Sequence, residues 1–218
     1  MDTRKLFSEG LGTALLIIAV VGSGIMAERL SGGNIGVALL ANAVATGATL
    51  YVLITVFGPI SGAQFNPAVG LWLTLTGKQP ASQTLSFAVV QVIGGIAGAI
   101  VANLMFDLPA FQISEKMRGG TGQWLGEGVA TFGLILTIAG TLRHKPDAVA
   151  TSVALYITAA YWFTSSTSFA NPAVTIARMF SDTFAGIAPA SVLPFIVAQL
   201  AGMAAAIGAW RLLEGCKS

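Results

Sequence analysis

The chain has 218 residues, of which 55% are hydrophobic and only 9% charged, with a net charge of +2 and a mean hydropathy of +0.79. Because a soluble domain carries roughly a quarter charged residues, the composition predicts an integral membrane protein. No basic run suggests nucleic acid as a partner. The single cysteine, Cys216, excludes an internal disulfide and a multi-thiolate metal site, and the only histidine, His144, lies in a polar connection. We therefore predict neither a metal nor a cofactor.

Apolar runs divide the chain into spans and half-spans. A membrane-spanning helix needs about 20 apolar residues, and on that rule full spans are predicted at 6–27, 34–57, 82–105, 123–142, 147–164 and 189–211. The first run lacks a convincing cleavage site, so it is interpreted as a retained span. Two further runs, near 67–76 and 172–180, are about half as long. The predicted fold class is an all-α membrane protein with six transmembrane helices and two re-entrant half-helices.

Both half-spans begin with the same tripeptide, which combines the residues preferred at a helix start. Asn caps a helix N-terminus, and Pro suits the first helical position because the amide that it lacks would be unbonded there. Paired short segments of this kind in the two halves of a membrane protein indicate a pathway near the bilayer midplane. The tripeptides are Asn66, Pro67 and Ala68, and Asn171, Pro172 and Ala173.

The two halves of the sequence repeat. "SEGLGTALLIIAV" is similar to "GEGVATFGLILTI", which pairs Glu9 with Glu127, and "FAVVQVIGGIAGAI" is similar to "FIVAQLAGMAAAIG", which pairs Gln91 with Gln199. Three spans per half is an odd number, so the second copy must be inverted in the membrane. We predict one channel domain over residues 1–218, with inverted repeats at about 6–105 and 123–211.

The distribution of Lys and Arg predicts that both termini are cytoplasmic. With the N-terminus inside, the cytoplasmic side holds Arg4, Lys5, Lys78, Arg143, Lys145, Arg211 and Lys217, and the outer side holds Arg29, Lys116, Arg118 and Arg178.

Two half-helices that meet in the membrane have a defined chemistry. Each N-terminus presents roughly half a positive charge, so the pair repels cations. Each Asn can cap its helix with its oxygen and donate from its NH2 group to a passing molecule. The small residues before each Asn suit an extended loop whose carbonyls face a wet cavity. The arrangement predicts a passage for neutral polar solutes that opposes protons and cations.

The segments "SGAQFNPAV" and "NPAVTIAR", with the Glu and Gln pairs, resemble the aquaporin or major intrinsic protein family over nearly the whole chain. The resemblance implies a homotetramer in the lipid bilayer with a pore in each protomer. It also implies that Glu9 and Glu127 support the re-entrant loops by hydrogen bonds. This agrees with the rule that a carboxylate within a span needs a partner. The alternative is that these carboxylates snorkel near a helix end.

The chain departs from the family at the selectivity filter. Val174 stands where most members have Arg, and Gln64 where many have His. By the family's spacing, the other filter positions are Thr46, Ser168 and Ala159, although another registration of the fifth span puts Ile157 in place of Ala159. These residues imply a wider and less polar constriction. The alternative is that one of four nearby aromatic residues fills the space, namely Tyr156, Tyr161, Trp162 or Phe163.

Arg178 lies four residues beyond Val174, on nearly the same helical face and about 6 Å nearer the outer mouth. Two interpretations stay open. Arg178 is a displaced selectivity arginine in the outer vestibule, or it neutralises carbonyls at the C-terminus of the half-helix.

We predict a passive channel for small uncharged solutes. The run "FANPAVTIAR" is similar to aquaglyceroporin-like channels of bacterial arsenic resistance, which implies arsenite or methylated arsenicals, glycerol and water as solutes, and a bacterial inner membrane. The alternative is a general water and glycerol channel without a metalloid role. The spans offer no nucleophile–base pair for an enzyme. A coupled transporter would depend on Glu9 and Glu127, the only titratable candidates predicted within the spans.

Overall fold

The computed structural model describes residues 2–215, so Cys216 and Lys217 lie outside the described residues. The described part is helical, without strands. Its α-helices are α1 (Thr3–Leu30), α2 (Ile35–Ser61), α3 (Pro67–Leu75), α4 (Ala81–Met105), α5 (Thr121–His144), α6 (Val149–Phe163), α7 (Pro172–Ala177) and α8 (Pro189–Glu214). The predicted fold of six long helices and two half-helices is confirmed.

Five of the long helices are long and apolar enough to cross a membrane. The remaining one, α6, has 15 residues and is preceded by a 3-10 turn at Pro146–Ala148. Large apolar side chains point outwards from several helices, among them Val44, Ile93, Leu155 and Leu193. A contiguous apolar exterior of this kind needs lipid rather than water around it, and the chain is an integral multi-pass membrane protein.

Each half is held together by a helix contact that recurs in the other half. Helix α1 packs on α4, and α5 packs on α8. A Cβ atom at Gly94 would collide with the backbone oxygen of Gly10, and one at Gly202 would collide with the backbone oxygen of Gly128. These pairs occupy the same positions in the two repeats. Only glycine permits backbones to approach so closely, which is the usual packing device of membrane helices.

Helix α2 ends where the chain must turn back into the protein. Its C-cap, Gly62, has a left-handed conformation with φ of 92°, which glycine adopts without steric cost. The following residues are not helical until Pro67 begins α3. The half-helix α7 is preceded by a similar irregular stretch after α6. These two loops bring the starts of α3 and α7 together inside the helix bundle.

Candidate pore and selectivity filter

Both loops use backbone conformations that are unusual for residues with side chains. In the first loop Ala63 and Phe65 have φ of 47° and 48°, and in the second Ser168 and Ala170 have φ of 51° and 48°. Left-handed conformations of such residues persist only where the surrounding structure enforces them. The left-handed residues recur at the same two positions before each Asn, so both loops follow the same path.

A buried carboxylate holds the first loop. Glu9 has no solvent exposure, and its Oε1 accepts hydrogen bonds from the backbone N of Gln64 at 3.0 Å and from Ser61 Oγ at 2.6 Å. Its Oε2 accepts from the backbone N of Phe65 at 2.7 Å and from Gln91 Nε2 at 2.8 Å. Four donors around one carboxylate compensate for its burial, and a fully buried position excludes snorkelling.

The second loop is held in the same way by Glu127. Its carboxylate accepts from the backbone N of Phe169 at 2.8 Å, the backbone N of Ala170 at 2.9 Å and Gln199 Nε2 at 2.6 Å. Glu127 is fully buried as well. Each loop therefore donates two backbone N–H groups to one buried carboxylate, and hydrogen bonds to a charged acceptor are stronger than those between neutral groups.

The two asparagines cap the half-helices. Asn66 Oδ1 accepts from the backbone N of Ala68 at 2.9 Å. Asn171 Oδ1 accepts from the backbone N of Ala173 at 2.9 Å and of Val174 at 3.2 Å. The oxygens are thus turned towards the helices, and the NH2 groups are turned away from them.

These NH2 groups tie the two loops to each other. Asn66 Nδ2 donates to the carbonyl of Ala170 at 2.8 Å, and Asn171 Nδ2 donates to the carbonyl of Phe65 at 2.7 Å. Each amide has two N–H donors, so one remains on each Asn. Both asparagines line an internal cavity, which is where the remaining donors can act.

The cavity has a volume of about 260 Å³ and extends to both sides of the asparagines. Pro67, Ala68, Pro172 and Ala173 lie behind the asparagines and do not line it. On the α3 side its wall is largely apolar, formed by Leu50, Ile54, Leu73, Ile138, Leu142, Val149 and Val153. The helix directions put this half on the side that the sequence predicts to be cytoplasmic.

On the α7 side, the wall includes three of the predicted filter residues: Thr46, Ser168 and Val174. Thr46 Oγ1 lies 3.2 Å from the hydroxyl of Tyr161, which is buried and also lines the cavity. Of the four aromatic candidates for this space, Tyr161 lines the cavity and the other three do not. Ser168 Oγ is buried and has no hydrogen-bond partner in the described part of the chain.

Ala159, the other predicted filter residue, is exposed on the outside of α6 and does not line the cavity. That expectation is wrong. Successive helix residues are about 100° apart, so a position two residues from Ile157 or Tyr161 faces the opposite way. Ile157 and Tyr161, which are four residues apart on one face, both line the cavity.

Arg178 lies in the cavity wall and is only 2% exposed. Its Nε donates to the carbonyl of Ala185, and its guanidinium carbon lies 3.4 Å from the centre of the Phe169 ring. The observed acceptor is in the loop between α7 and α8, not at the C-terminus of α7. Its proximity to the cavity could not be inferred from spacing alone, since it depends on the path of the side chain.

Two more cationic side chains contact the loop between α7 and α8. Arg118 donates from Nε to the carbonyl of Gly186 at 2.7 Å and from Nη2 to that of Phe184 at 3.2 Å. Lys116 Nζ donates to the same Phe184 carbonyl at 2.8 Å. Burial lowers the pKa of Arg118 to about 10, and burial, with the charge of Arg118, lowers the pKa of Lys116. Arg118 stays protonated at neutral pH, which makes this side of the loop positive.

The two half-helices begin at asparagines that each donate a hydrogen bond to the other loop, and both asparagines line a cavity inside the helix bundle. This arrangement defines a membrane channel. The profile of the major intrinsic protein family matches residues 1–161. The chain belongs to this family, which consists of channels.

Known proteins of this kind are similar over nearly the whole chain. Aquaglyceroporin AqpS of Rhizobium meliloti (strain 1021) is 52% identical over 97% of this chain and 90% of its own length. Aquaporin Z of Brucella melitensis biotype 1 is 31% identical over 97% and 98%. The X-ray structure of the aquaglyceroporin from Plasmodium falciparum has the same fold, with a TM-score of 0.74 over 96% of each chain at 17% identity.

Proposed function

We propose that the protein is a passive channel for small uncharged solutes, with water, glycerol and trivalent arsenic acid or methylated arsenicals as its substrates. The observation that carries the proposal is that Asn66 and Asn171 each donate one hydrogen bond to the other's loop in the wall of the cavity, where each amide keeps one free N–H donor. Two helix N-termini at this point oppose cations, and the donors orient the oxygen of a neutral solute.

The filter residues favour solutes larger than water. Val174, Thr46 and Ser168 are small, and Tyr161 adds an aromatic face to the same wall. A solute with hydroxyl groups on one side and an apolar surface on the other fits such a wall. Glycerol and undissociated arsenous acid each carry three hydroxyl groups, so a site that admits one suits the other. The 52% identity to an aquaglyceroporin supports glycerol.

The assembly and orientation belong to the same proposal. We place a single domain of two inverted repeats, as a homotetramer with a pore in each protomer, in a bacterial inner membrane with both termini cytoplasmic. Glu9 and Glu127 act as supports of the re-entrant loops, because each accepts two backbone N–H groups of its loop. The alternative function is a general water and glycerol channel without a metalloid role, favoured by the name of the same relative.

Purified protein in liposomes tests the proposal. Stopped-flow shrinkage and solute uptake are measured for water, glycerol and arsenous acid in wild type, Val174→Arg and Val174→Met. We expect Val174→Arg to reduce glycerol and arsenic uptake and to spare water most, because it adds both bulk and charge to the cavity wall. Val174→Met adds similar length without charge and separates the two effects.

Each outcome selects one interpretation. Glycerol uptake without arsenic uptake in wild type would favour the alternative function. Unchanged glycerol and arsenic uptake in Val174→Arg would remove Val174 from the constriction. Vesicles that conduct none of the three solutes faster than bare lipid would contradict the channel itself.

A further inference from the structure

We infer that Arg178 is the selectivity arginine of this channel, supplied from one helical turn beyond the position that Val174 occupies. The inference rests on the proposed function and adds a specificity-determining residue to it. Arg178 would repel cations at the outer half of the pore and donate hydrogen bonds to the oxygens of neutral hydroxyl-bearing solutes.

The path of the side chain carries the guanidinium back towards the filter. Side chains on a helix lean towards its N-terminus, and Arg178 starts at the end of α7, which begins at Asn171. Its guanidinium carbon lies 3.4 Å from the centre of the Phe169 ring, and Phe169 precedes Asn171 by two residues. The charge is therefore near the level of Ser168 and Phe169, although its Cα is a turn further out.

Between residues 2 and 215, Arg178 forms no ion pair, and its only hydrogen bond is from Nε to Ala185. A buried charge without a partner is costly, and stacking on Phe169 offsets only part of that cost. Because Arg178 lines the cavity, the Nη1 and Nη2 groups can be satisfied by water or solute in the pore.

Val174 and Ser168 accompany Arg178 on the α7 side of the cavity. Val174 leaves space beside the half-helix that a longer side chain would occupy, and both residues line the same cavity as Arg178. Ser168 Oγ, 3% exposed, also has no partner in the described residues. A guanidinium and a hydroxyl that line one cavity with the Thr46–Tyr161 pair suit neutral molecules with several acceptor oxygens, such as small polyols and undissociated oxyacids.

Arg118 provides the matched control. It also stacks on Phe169, with its guanidinium carbon 5.1 Å from the ring centre. It differs from Arg178 because it donates to the carbonyls of Gly186 and Phe184 and does not line the cavity. Removal of either arginine takes away one charge and one contact with Phe169, but only Arg178 should alter the pore.

The test compares Arg178→Gln, Arg178→Lys and Arg118→Gln in liposomes that contain a pH-sensitive dye, with a potassium gradient and valinomycin to drive proton entry. Water permeability reports whether each variant is folded and open. We expect Arg178→Gln to conduct water but to leak protons at least about tenfold faster than wild type, because a unit charge close to the path is lost from a low-dielectric site. Arg178→Lys keeps the charge and should leak little, and Arg118→Gln should behave as wild type.

A relocation of the charge gives a second test, in which the pore keeps an arginine but Arg178 is absent. The double variant Val174→Arg/Arg178→Gln returns an arginine to the neighbouring turn, and we expect its proton leak to be as low as that of wild type. If the double variant leaked protons as fast as Arg178→Gln, the inference would be overturned. An unchanged leak in a water-conducting Arg178→Gln, or an equal leak in Arg118→Gln, would also overturn it. Absence of solute flux in wild type would instead contradict the proposed function.

Discussion

Replacement of Glu127 by Ala should lower the thermal stability of the protein and disturb the α7 side of the pore. The substitution removes the acceptor of two buried backbone N–H groups, those of Phe169 and Ala170, and of the Gln199 amide. Each orphaned N–H costs about 1–3 kcal/mol, so the two together cost about 2–6 kcal/mol. For a chain of this size, the apparent melting temperature should fall by roughly 4–24 °C.

Thermal unfolding in detergent measures the change in stability, and stopped-flow glycerol uptake measures the change in the pore. Glu28→Ala is the control, because Glu28 lies at the exposed end of α1 and loses no side-chain hydrogen bond found in the described structure. Glu9→Ala should be at least as destabilising as Glu127→Ala, since Glu9 accepts from four donors. If Glu127→Ala melted within about 2 °C of wild type and took up glycerol at the same rate, the carboxylate would not hold the loop.

Two further substitutions, each with a control variant, test the packing and the filter. Gly94→Ala should destabilise the protein by about 1–3 kcal/mol or more, because the added Cβ would collide with the backbone of Gly10. Gly208 has open space around it, so Gly208→Ala should be neutral or stabilising by up to about 1 kcal/mol. Equal melting temperatures of the two variants in detergent would contradict this prediction. Tyr161→Ala should raise the uptake of a four-carbon polyol more than that of water, because it removes the aromatic side of the cavity wall, and the half-exposed Trp162→Ala should not. If both variants took up the polyol like wild type, Tyr161 would not limit the size of the solute.

Hydropathy and helix-start chemistry were sufficient to predict the elements. The predicted span 82–105 differs by one residue from the observed Ala81–Met105, and Pro67 and Pro172 begin the two half-helices as predicted. These features depend on local properties: the length of an apolar run, a preferred cap and a residue without an amide hydrogen. Local properties are encoded in neighbouring residues, so they can be read without knowledge of the tertiary structure.

The face that each helix turns to the pore could not be predicted from hydropathy. In α6 both the lipid side and the cavity side are largely apolar, and Ala159 was placed in the filter although Ile157 and Tyr161 line the cavity. Hydropathy does not distinguish two apolar faces, and an error of two residues rotates the chosen position by about 200°. The packing of α6 against α2 and α5 decides which face is inside.

The sequence by itself determined that the chain is a six-helix membrane protein with two half-helices that begin at Asn66 and Asn171, because composition and capping are local. Only the tertiary structure decided which side chains meet across the pore. The contact of Arg178 with Phe169 and the pairing of Thr46 with Tyr161 join residues from different elements. Such contacts depend on how helices are rotated and where long side chains lie, and no short stretch of sequence specifies either.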